Sequence, residues 1–438
     1  MTATIFALAS APGRGGVAVY RLSGPLAGPV LLALGGSSLP PPRRAVRIRL
    51  VHDGETIDDG LALWFPAPAS FTGEDVVELH LHGGRAVAAA LGEALVQAGL
   101  RPAEPGEFSR RAFLNGKLDL TRAEAIADLV DAETAAQRRQ ALLQLDGGLD
   151  RLAEGWRDDL IRALALLEAC IDFSDEDLPD GVADQAGQAV AALAVELERH
   201  LAAGIRHERL RDGIHVAILG APNAGKSSLL NRLAGREVAI VSATAGTTRD
   251  VIEVHLDLGG WPVVLADTAG LRDAAGEIEA EGIRRALARA EAADLRLLVF
   301  DAAALPVLDP ATLALGGEGT LSVINKSDLA VSSNPVDDAA AIMVSARTGD
   351  GLDILLKRLE AEVAARFATH AAPALTRSRH RAAASEALVA LGRFDPHRGL
   401  ELAAEELRTA AHAIGRISGR VDVEDVLDVV FRDFCIGK

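Results

Sequence analysis

The period of hydrophobic and polar positions changes three times along the chain. Over residues 1 to about 118, short apolar runs alternate with Gly-rich turns. "TIFALAS" and "GVAVYRLSG" flank "APGRGG", and "AVRIRLVHDG" and "GLALWFPAP" read as the two strands of a hairpin. "DVVELHLHGG" is a further strand ending in glycines, and "RAVAAALGEALVQAGL" is a helix closed by Gly99. This stretch predicts a small α+β domain.

From Asp119 to about Arg211 the spacing lengthens to that of a helix. "LTRAEAIADLVDAETAAQRRQALLQL" opens with Thr121 and Glu124 at capping-box spacing. In "LDRLAEGWRDDLIRALALLEACID", Leu152, Trp156, Leu160, Leu164 and Leu167 line one apolar face. After the acidic turn "FSDEDLPDG", a third helix is predicted from about Val182 to Leu210. Segments this long favour a helical bundle. The tail from about Ser378 gives three more candidate helices, "RAAASEALVALGRF", "LELAAEELRTAAHAIGRI" and "DVEDVLDVVFRDF".

Between these helical stretches, "IHVAILG", "WPVVLAD", "LRLLVFDA", "LSVIN" and "AIMVSA" are compact apolar runs that alternate with helical patterns. That pattern suits a buried, mainly parallel sheet. The chain therefore divides into an α+β domain (1–118), a first helical part (119–211), an inserted α/β domain (212–366) and a second helical part (367–438). The helices flanking the insertion are expected to pack together, since an inserted domain has neighbouring ends.

Composition adds limits. Hydrophobic residues make up 49% and aromatics only 3%, which favours helices packed through small and branched aliphatic side chains over a mostly β fold. With 45 basic and 62 acidic residues the formal charge is -17, unfavourable for a free-standing protein that grips a nucleic-acid backbone. Two cysteines, Cys170 and Cys435, make no disulfide framework. No signal peptide and no membrane span are expected, and a soluble protein of the cytoplasm is the simple reading.

The inserted domain carries the clearest chemistry. "GAPNAGKS", Gly220 to Ser227, fits Gly-x4-Gly-Lys-Ser between a strand and a helix, where backbone N–H groups wrap phosphates. Lys226 would reach the β and γ phosphates and Ser227 would ligate Mg²⁺. "DTAG", Asp267 to Gly270, follows a buried strand; Asp267 would hold Mg²⁺ through water and the Gly270 amide would sense the γ phosphate. "NKSD", Asn325 to Asp328, offers a carboxylate that accepts two hydrogen bonds from guanine and is left unpaired by adenine. The backbone of "SAR", Ser345 to Arg347, would meet guanine O6. These motifs place GTP or GDP on Asn223, Ala224, Gly225, Lys226, Ser227 and Ser228, on Asp267, Thr268, Ala269 and Gly270, on Asn325, Lys326, Ser327 and Asp328, and on Ser345, Ala346 and Arg347.

Between the phosphate loop and Asp267 lies a switch-like stretch, Ser242, Ala243, Thr244, Ala245, Gly246, Thr247 and Thr248, with Thr248 the expected Mg²⁺ ligand. Leu271 follows Gly270 and cannot orient water. A monovalent cation held by Asn223 and the switch backbone would supply positive charge at the β–γ bridge. Glu277, Glu279 and Glu281 are equal candidates for polarising the attacking water.

"FTGEDVVELHLHGG" (71–84), "PGEFSRRAFLNGKLDLTRAEAIADL" (105–129), "AGTTRD", "DTAGLRD" and the terminal "FCIGK" together resemble the bacterial tRNA-modification GTPases of the MnmE (TrmE) family, within the TrmE-Era-EngA-YihA-Septin-like GTPases. The resemblance spans the whole chain. It implies a multidomain α/β protein: a folate-binding-like N-terminal domain that also dimerises, a helical domain, and an inserted Ras-like G domain. It implies a homodimer whose G domains associate with GTP and K⁺ bound. It implies an FAD-dependent partner, MnmG (GidA), in a heterotetramer or larger complex acting on tRNA. The one-carbon donor would be 5-formyl- or 5,10-methylene-tetrahydrofolate. It implies K⁺ ligands at Asn223, Ser242, Thr244 and Thr247, Mg²⁺ ligands at Ser227 and Thr248, and Glu279 as the glutamate that positions water. Arg21, Glu78, Lys117 and Lys438 resemble the folate-contacting positions, and Cys435 would lie near the modification site. The stretch "DAAALPVLDPATLALGGEGT" is shorter and more apolar than the resemblance implies. A GTP-gated ribosome-assembly switch is the competing reading; the long N-terminal strings and the acidic charge count against it.

Overall fold

The computed structural model describes residues 3–172, 181–240, 253–267, 288, 291–329, 341–368, 373–421, 427, 430, 431, 434 and 437. The chain divides into two compact units. One comprises Met1–Ala127, Gln144–Leu193 and Glu386–Lys438; the other comprises Asp128–Leu143 and Ala194–Ser385.

The first unit opens with β1 (Ile5–Leu8), β2 (Gly15–Ser23), α1 (Ala27–Ala33), β3 (Val46–His52), β4 (Glu55–Phe65), β5 (Val76–Gly83), α2 (Arg85–Gln97), β6 (Arg101–Pro102) and α3 (Glu107–Leu114). The six strands form one sheet in the order β3-β4-β5-β2-β1-β6. Alternate residues of the strands point to opposite faces. Tyr20, Leu22, Leu50, Ala62, Leu79 and Leu81 pack on one face with Val30 and Leu31 of α1 and Leu91 and Leu95 of α2. Ile5, Ala7, Ala103 and Phe108 form a smaller cluster with Phe71. The predicted hairpin is β3–β4, and Gly99, in a left-handed conformation, closes α2 as expected. Helices α1 and α3 were not anticipated.

The helical stretch begins with α4 (Leu120–Asp131), α5 (Ala135–Leu145), α6 (Gly148–Asp172) and α7 (Val182–Asp212). The sequence read α4 and α5 as one run opened by a Thr121–Glu124 box. Instead Asp119 caps α4: its carboxylate accepts from the Arg122 N–H at 2.9 Å and from the Thr121 hydroxyl, and its carbonyl accepts from the Ala123 N–H at 3.0 Å. An aspartate at this place satisfies an orphan donor of the first turn, and Thr121 and Glu124 are fully buried.

The second unit carries β7 (Ile214–Leu219), α8 (Lys226–Ala234), β8 (Glu253–Leu258), β9 (Trp261–Asp267), β10 (Leu295–Asp301), α9 (Pro310–Leu313), β11 (Thr320–Asn325), β12 (Ile342–Met343), α10 (Leu352–Phe367) and the start of α11 (Ser378–Arg393), whose residues from Glu386 onward belong to the first unit. Its sheet runs β12-β11-β10-β7-β9-β8, parallel except for β8. Strand β8 was missed; it alternates Val254, Leu256 and Leu258 with polar residues and joins β9 through Gly259 and Gly260. Leu229, Leu230 and Leu233 of α8 and Leu355, Leu359 and Val363 of α10 cover one face of the sheet.

Helix α12 (Leu400–Ser418) packs along α6 in the first unit, where Arg408 pairs with Glu168 at 3.1 Å and Arg420 with Glu154 at 2.9 Å. In the second unit Arg381 of α11 pairs with Glu208 of α7. Helices from before and after the insertion thus pack together in the first unit, as expected, and are joined by an ion pair in the second. Most of the third tail helix lies outside the described residues; Leu427, Val430, Phe431 and Phe434 are buried against Leu120 and Ala123.

Candidate functional sites

The loop between β7 and α8 is shaped by two glycines. A Cβ on Gly220 would stand 2.3 Å from the Val299 carbonyl oxygen. Gly225 has φ +90, and a Cβ there would stand 2.2 Å from Asn325 Nδ2. A side chain at either place would collide with a neighbouring group, so the loop packs this closely against the β10 backbone and Asn325 only with glycine at these positions. Asn223 adopts φ 63, left-handed for a non-glycine residue, and is exposed. Lys226 is buried at the head of α8, and its ammonium donates to the Gly220 and Ala221 carbonyls at 2.8 and 2.9 Å. The ammonium thus folds back across its own loop. Ser227 and Ser228 are exposed on the first turn, where the backbone N–H groups and the helix dipole favour an anion.

The polar loop after β11 is locked to this phosphate loop. Asn325 is buried; its Nδ2 donates to the Ala224 carbonyl at 3.0 Å, and its Oδ1 accepts from the Ala346 N–H at 3.0 Å. One side chain therefore ties together three of the predicted segments. Ser327 N–H donates to the Val344 carbonyl at 3.0 Å. Asp328 accepts from the Ser345 hydroxyl at 2.6 Å, and the Arg347 guanidinium stands 3.7 Å away. The Ser345 hydrogen bond lowers the Asp328 carboxyl below its ordinary range. A carboxylate kept ionised and aimed by a serine is fit to accept two N–H donors from a base edge. Lys326 donates to Asp301 at 2.6 Å.

Asp267 closes β9, opposite Ile218. Thr268, Ala269, Gly270, the stretch Ser242 to Thr248 and Glu279 lie outside the described residues. The structure therefore brings together the phosphate-loop, Asn325–Asp328 and Ser345–Arg347 segments.

In the first unit Arg21 and Glu78 face each other across β2 and β5, and their side chains pair at 2.8 Å. The Arg21 guanidinium lies 5.1 Å from the Phe71 ring centroid and 5.8 Å from that of Phe108. Lys117 is exposed and donates to the Pro68 carbonyl at 2.9 Å, on the loop that carries Phe71. Lys438 and Cys435 lie outside the described residues. Sequence reasoning missed Phe71 and Phe108, and also the network that holds them: Arg111 donates to Glu74 at 2.9 Å and to Glu107 at 2.8 Å, and Asn115 donates to the Thr72 carbonyl at 2.7 Å. A signal was present in "PGEFSRRAFLNGK", where Glu107 and Arg111, and Phe108 and Ala112, recur at helical i,i+4 spacing.

The parallel sheet, the glycine-built loop at the head of α8 and the polar loop at the end of β11 define a P-loop GTPase domain set between helical segments. A family model for the MnmE helical domain matches residues 120–435, and one for the N-terminus of the GTP-binding protein TrmE matches residues 4–117. The chain belongs to the MnmE family of tRNA modification GTPases. It is 66% identical over 441 residues to the tRNA modification GTPase MnmE of Paramagnetospirillum magneticum, covering 100% of both chains. It is 58% identical over 453 residues to that of Rhodospirillum rubrum, covering 99% of each. Among solved structures, the G domain of the T. maritima FeoB iron transporter aligns with 34% of this chain and 98% of its own, at 24% identity and a TM-score of 0.26.

Proposed function

We propose that this GTPase acts in the modification of the wobble uridine of certain tRNAs. With the FAD-dependent partner MnmG it adds an aminomethyl or carboxymethylaminomethyl group at carbon 5, using a one-carbon unit from tetrahydrofolate. The observation that carries this reading is end-to-end identity to tRNA modification GTPases, extending through both the N-terminal domain and the G domain. The protein works as a homodimer in the cytoplasm; among the described residues no helix is long and apolar enough to cross a membrane.

The loop from Gly220 to Ser227 would wrap a nucleotide phosphate with its backbone N–H groups, with Lys226 available to swing from its own loop carbonyls to the phosphates. Ser227, exposed on the first turn of α8, would ligate Mg²⁺, with Thr248 as the second ligand. Asn223, held in a left-handed conformation, would offer its side-chain oxygen to K⁺ beside Ser242, Thr244 and Thr247. These ions would supply positive charge where the leaving phosphate oxygen develops negative charge. Glu279 positions the attacking water in place of a residue at Leu271. The Arg21–Glu78 pair, walled by Phe71 and Phe108, is the folate end of the protein, with Lys117 and Lys438 as cations for the glutamate tail. A polar pair beside the half-buried Phe71 ring suits a flat heterocycle that carries N–H donors.

Mass spectrometry of tRNA wobble uridines from a deletion strain tests the pathway. Loss of the carbon-5 aminomethyl-type groups, restored by the intact gene, is expected; unchanged uridines would sink the reading. GTP turnover should be faster in K⁺ than in Na⁺ at equal ionic strength, and equal rates would remove the K⁺ role.

A further inference from the structure

We propose that Asp301 is a positioning residue for the nucleotide base: it anchors the ammonium of Lys326 and thereby sets the loop that reads guanine. This rests on the reading of Asn325–Asp328 as that loop. Sequence reasoning gave Asp301 no role.

Three observations carry it. In the parallel ladder of β10 and β11, Asp301 is the direct partner of Asn325, so its carboxylate emerges at the carboxyl end of the sheet, beside the first residue of the loop. Ligands of open α/β sheets bind at that edge. Second, the two carboxylate oxygens are divided between two tasks. Oδ1 accepts from the Ala303 N–H at 3.0 Å and caps the turn after β10, while Oδ2 accepts from Lys326 Nζ at 2.6 Å. Third, Lys326 has φ 62, a conformation side-chain-bearing residues rarely take, and its Cε lies 3.8 Å from where a Cβ on Gly225 would stand.

The flexible stem of Lys326 therefore runs from the base loop past the phosphate loop to a fixed anion. A lysine stem has many rotamers, and an anchored ammonium removes most of them. Without the anchor, the stem would sample the space the base has to enter, and Asp328 would lose a fixed neighbour in the loop.

The division of the two oxygens makes a clean test. Asp301→Asn keeps the shape and an oxygen to cap Ala303, and loses the anion facing Lys326. In the full-length protein, affinities for GDP, IDP and ADP are measured for the parent, Asp301→Asn, Lys326→Met and the double variant, with thermal unfolding alongside. Asp301→Asn is expected to unfold like the parent and to bind GDP about tenfold more weakly, the size of one lost charge-assisted hydrogen bond. Its preference for GDP over IDP should fall, because IDP lacks the amino group that a well-placed Asp328 reads. The double variant should bind no more weakly than Lys326→Met, and Asp301→Glu should recover part of the loss. Parent-like GDP binding by Asp301→Asn overturns the proposal, as does a double variant whose losses add. A collapsed thermal transition in Asp301→Asn also overturns it, by placing Asp301 in the fold alone. A parent that binds ADP as well as GDP would instead refute the underlying base-loop reading.

Discussion

Replacing Glu107 by glutamine tests how the N-terminal site is held. The Glu107 carboxylate accepts from Arg101 at 2.8 and 2.6 Å, from the Glu104 N–H at 3.0 Å, and from Arg111 at 2.8 and 3.3 Å. Burial alone would push its carboxyl up. The hydrogen bonds from Arg101, Glu104 and Arg111 more than offset that and hold it at about 2, against an ordinary 4.5. The folded-state value lies below the unfolded one, so the native state binds fewer protons. The stabilisation is complete above 4.5 and is lost as pH falls towards 2. A shift of this size corresponds to about 3 kcal/mol at neutral pH and roughly 1 kcal/mol at pH 3. Arg101 is half-exposed, so solvent screening reduces the neutral figure to about 2 kcal/mol. Glu107→Gln keeps the shape but turns an amide towards two guanidinium groups, and Arg111 keeps Glu74 and the Ala3 carbonyl. Hydrogen exchange of peptides covering β6 and α3, followed through a urea series, reads this unit separately from the GTPase unit. At neutral pH the variant should lose about 2 kcal/mol there, and the gap from the parent should shrink by more than half at pH 3. Equal stability at neutral pH, or a gap that does not change with pH, would refute the argument.

Two further outcomes follow from single contacts. Gly225→Ala puts a methyl group 2.2 Å from Asn325 Nδ2 at φ +90, so it should weaken GDP binding by at least tenfold and lower the thermal transition, by calorimetry. Gln137→Ala removes the acceptor of the Glu133 and Thr134 N–H groups and the donor to the Arg211 carbonyl; a loss of about 1–3 kcal/mol is expected by urea unfolding with exchange readout over α5.

What could be read from the sequence was local. The phosphate loop stood out because its glycines, lysine and serine sit next to each other in the chain, between a strand and a helix. Strand β8 escaped because it is an antiparallel edge strand with only one buried face, so it alternates where its parallel neighbours run apolar. Alternation followed by Gly259 and Gly260 was the available signal. Arg21 and Glu78 were singled out as separate charges, yet their pairing depends on the register of β2 against β5, which brings together residues far apart in sequence. Asp301 and Lys326 depend in the same way on β10 against β11. Register is set by the packing of whole faces, so the partner of a strand-end charge cannot be read from its neighbours in the chain.

Helix α5 shows the same principle at the edge of the GTPase unit. It has no continuous apolar stripe: Ala136 and Ala141 are buried, but Leu142 and Leu143 are exposed. Three glutamines at helical spacing position it instead. Gln137 donates to the Arg211 carbonyl at 2.9 Å, Gln140 to the His207 carbonyl at 2.9 Å, and Gln144 to the Thr121 carbonyl at 3.1 Å. Its first turn is tied to the β8–β9 turn, with the Ala136 N–H donating to the Gly260 carbonyl at 3.0 Å. Neutral amides fix a register without burying charge, but each adds only about 1 kcal/mol net. A helix seated this way costs less to shift than one seated by a leucine stripe. The boundary between the two compact units falls within this helix, after Leu143. The weakly apolar pattern that made α4 and α5 look like one continuous run is thus the pattern of a helix seated by hydrogen bonds to neighbouring backbone, where the sequence period carries little information about the partner.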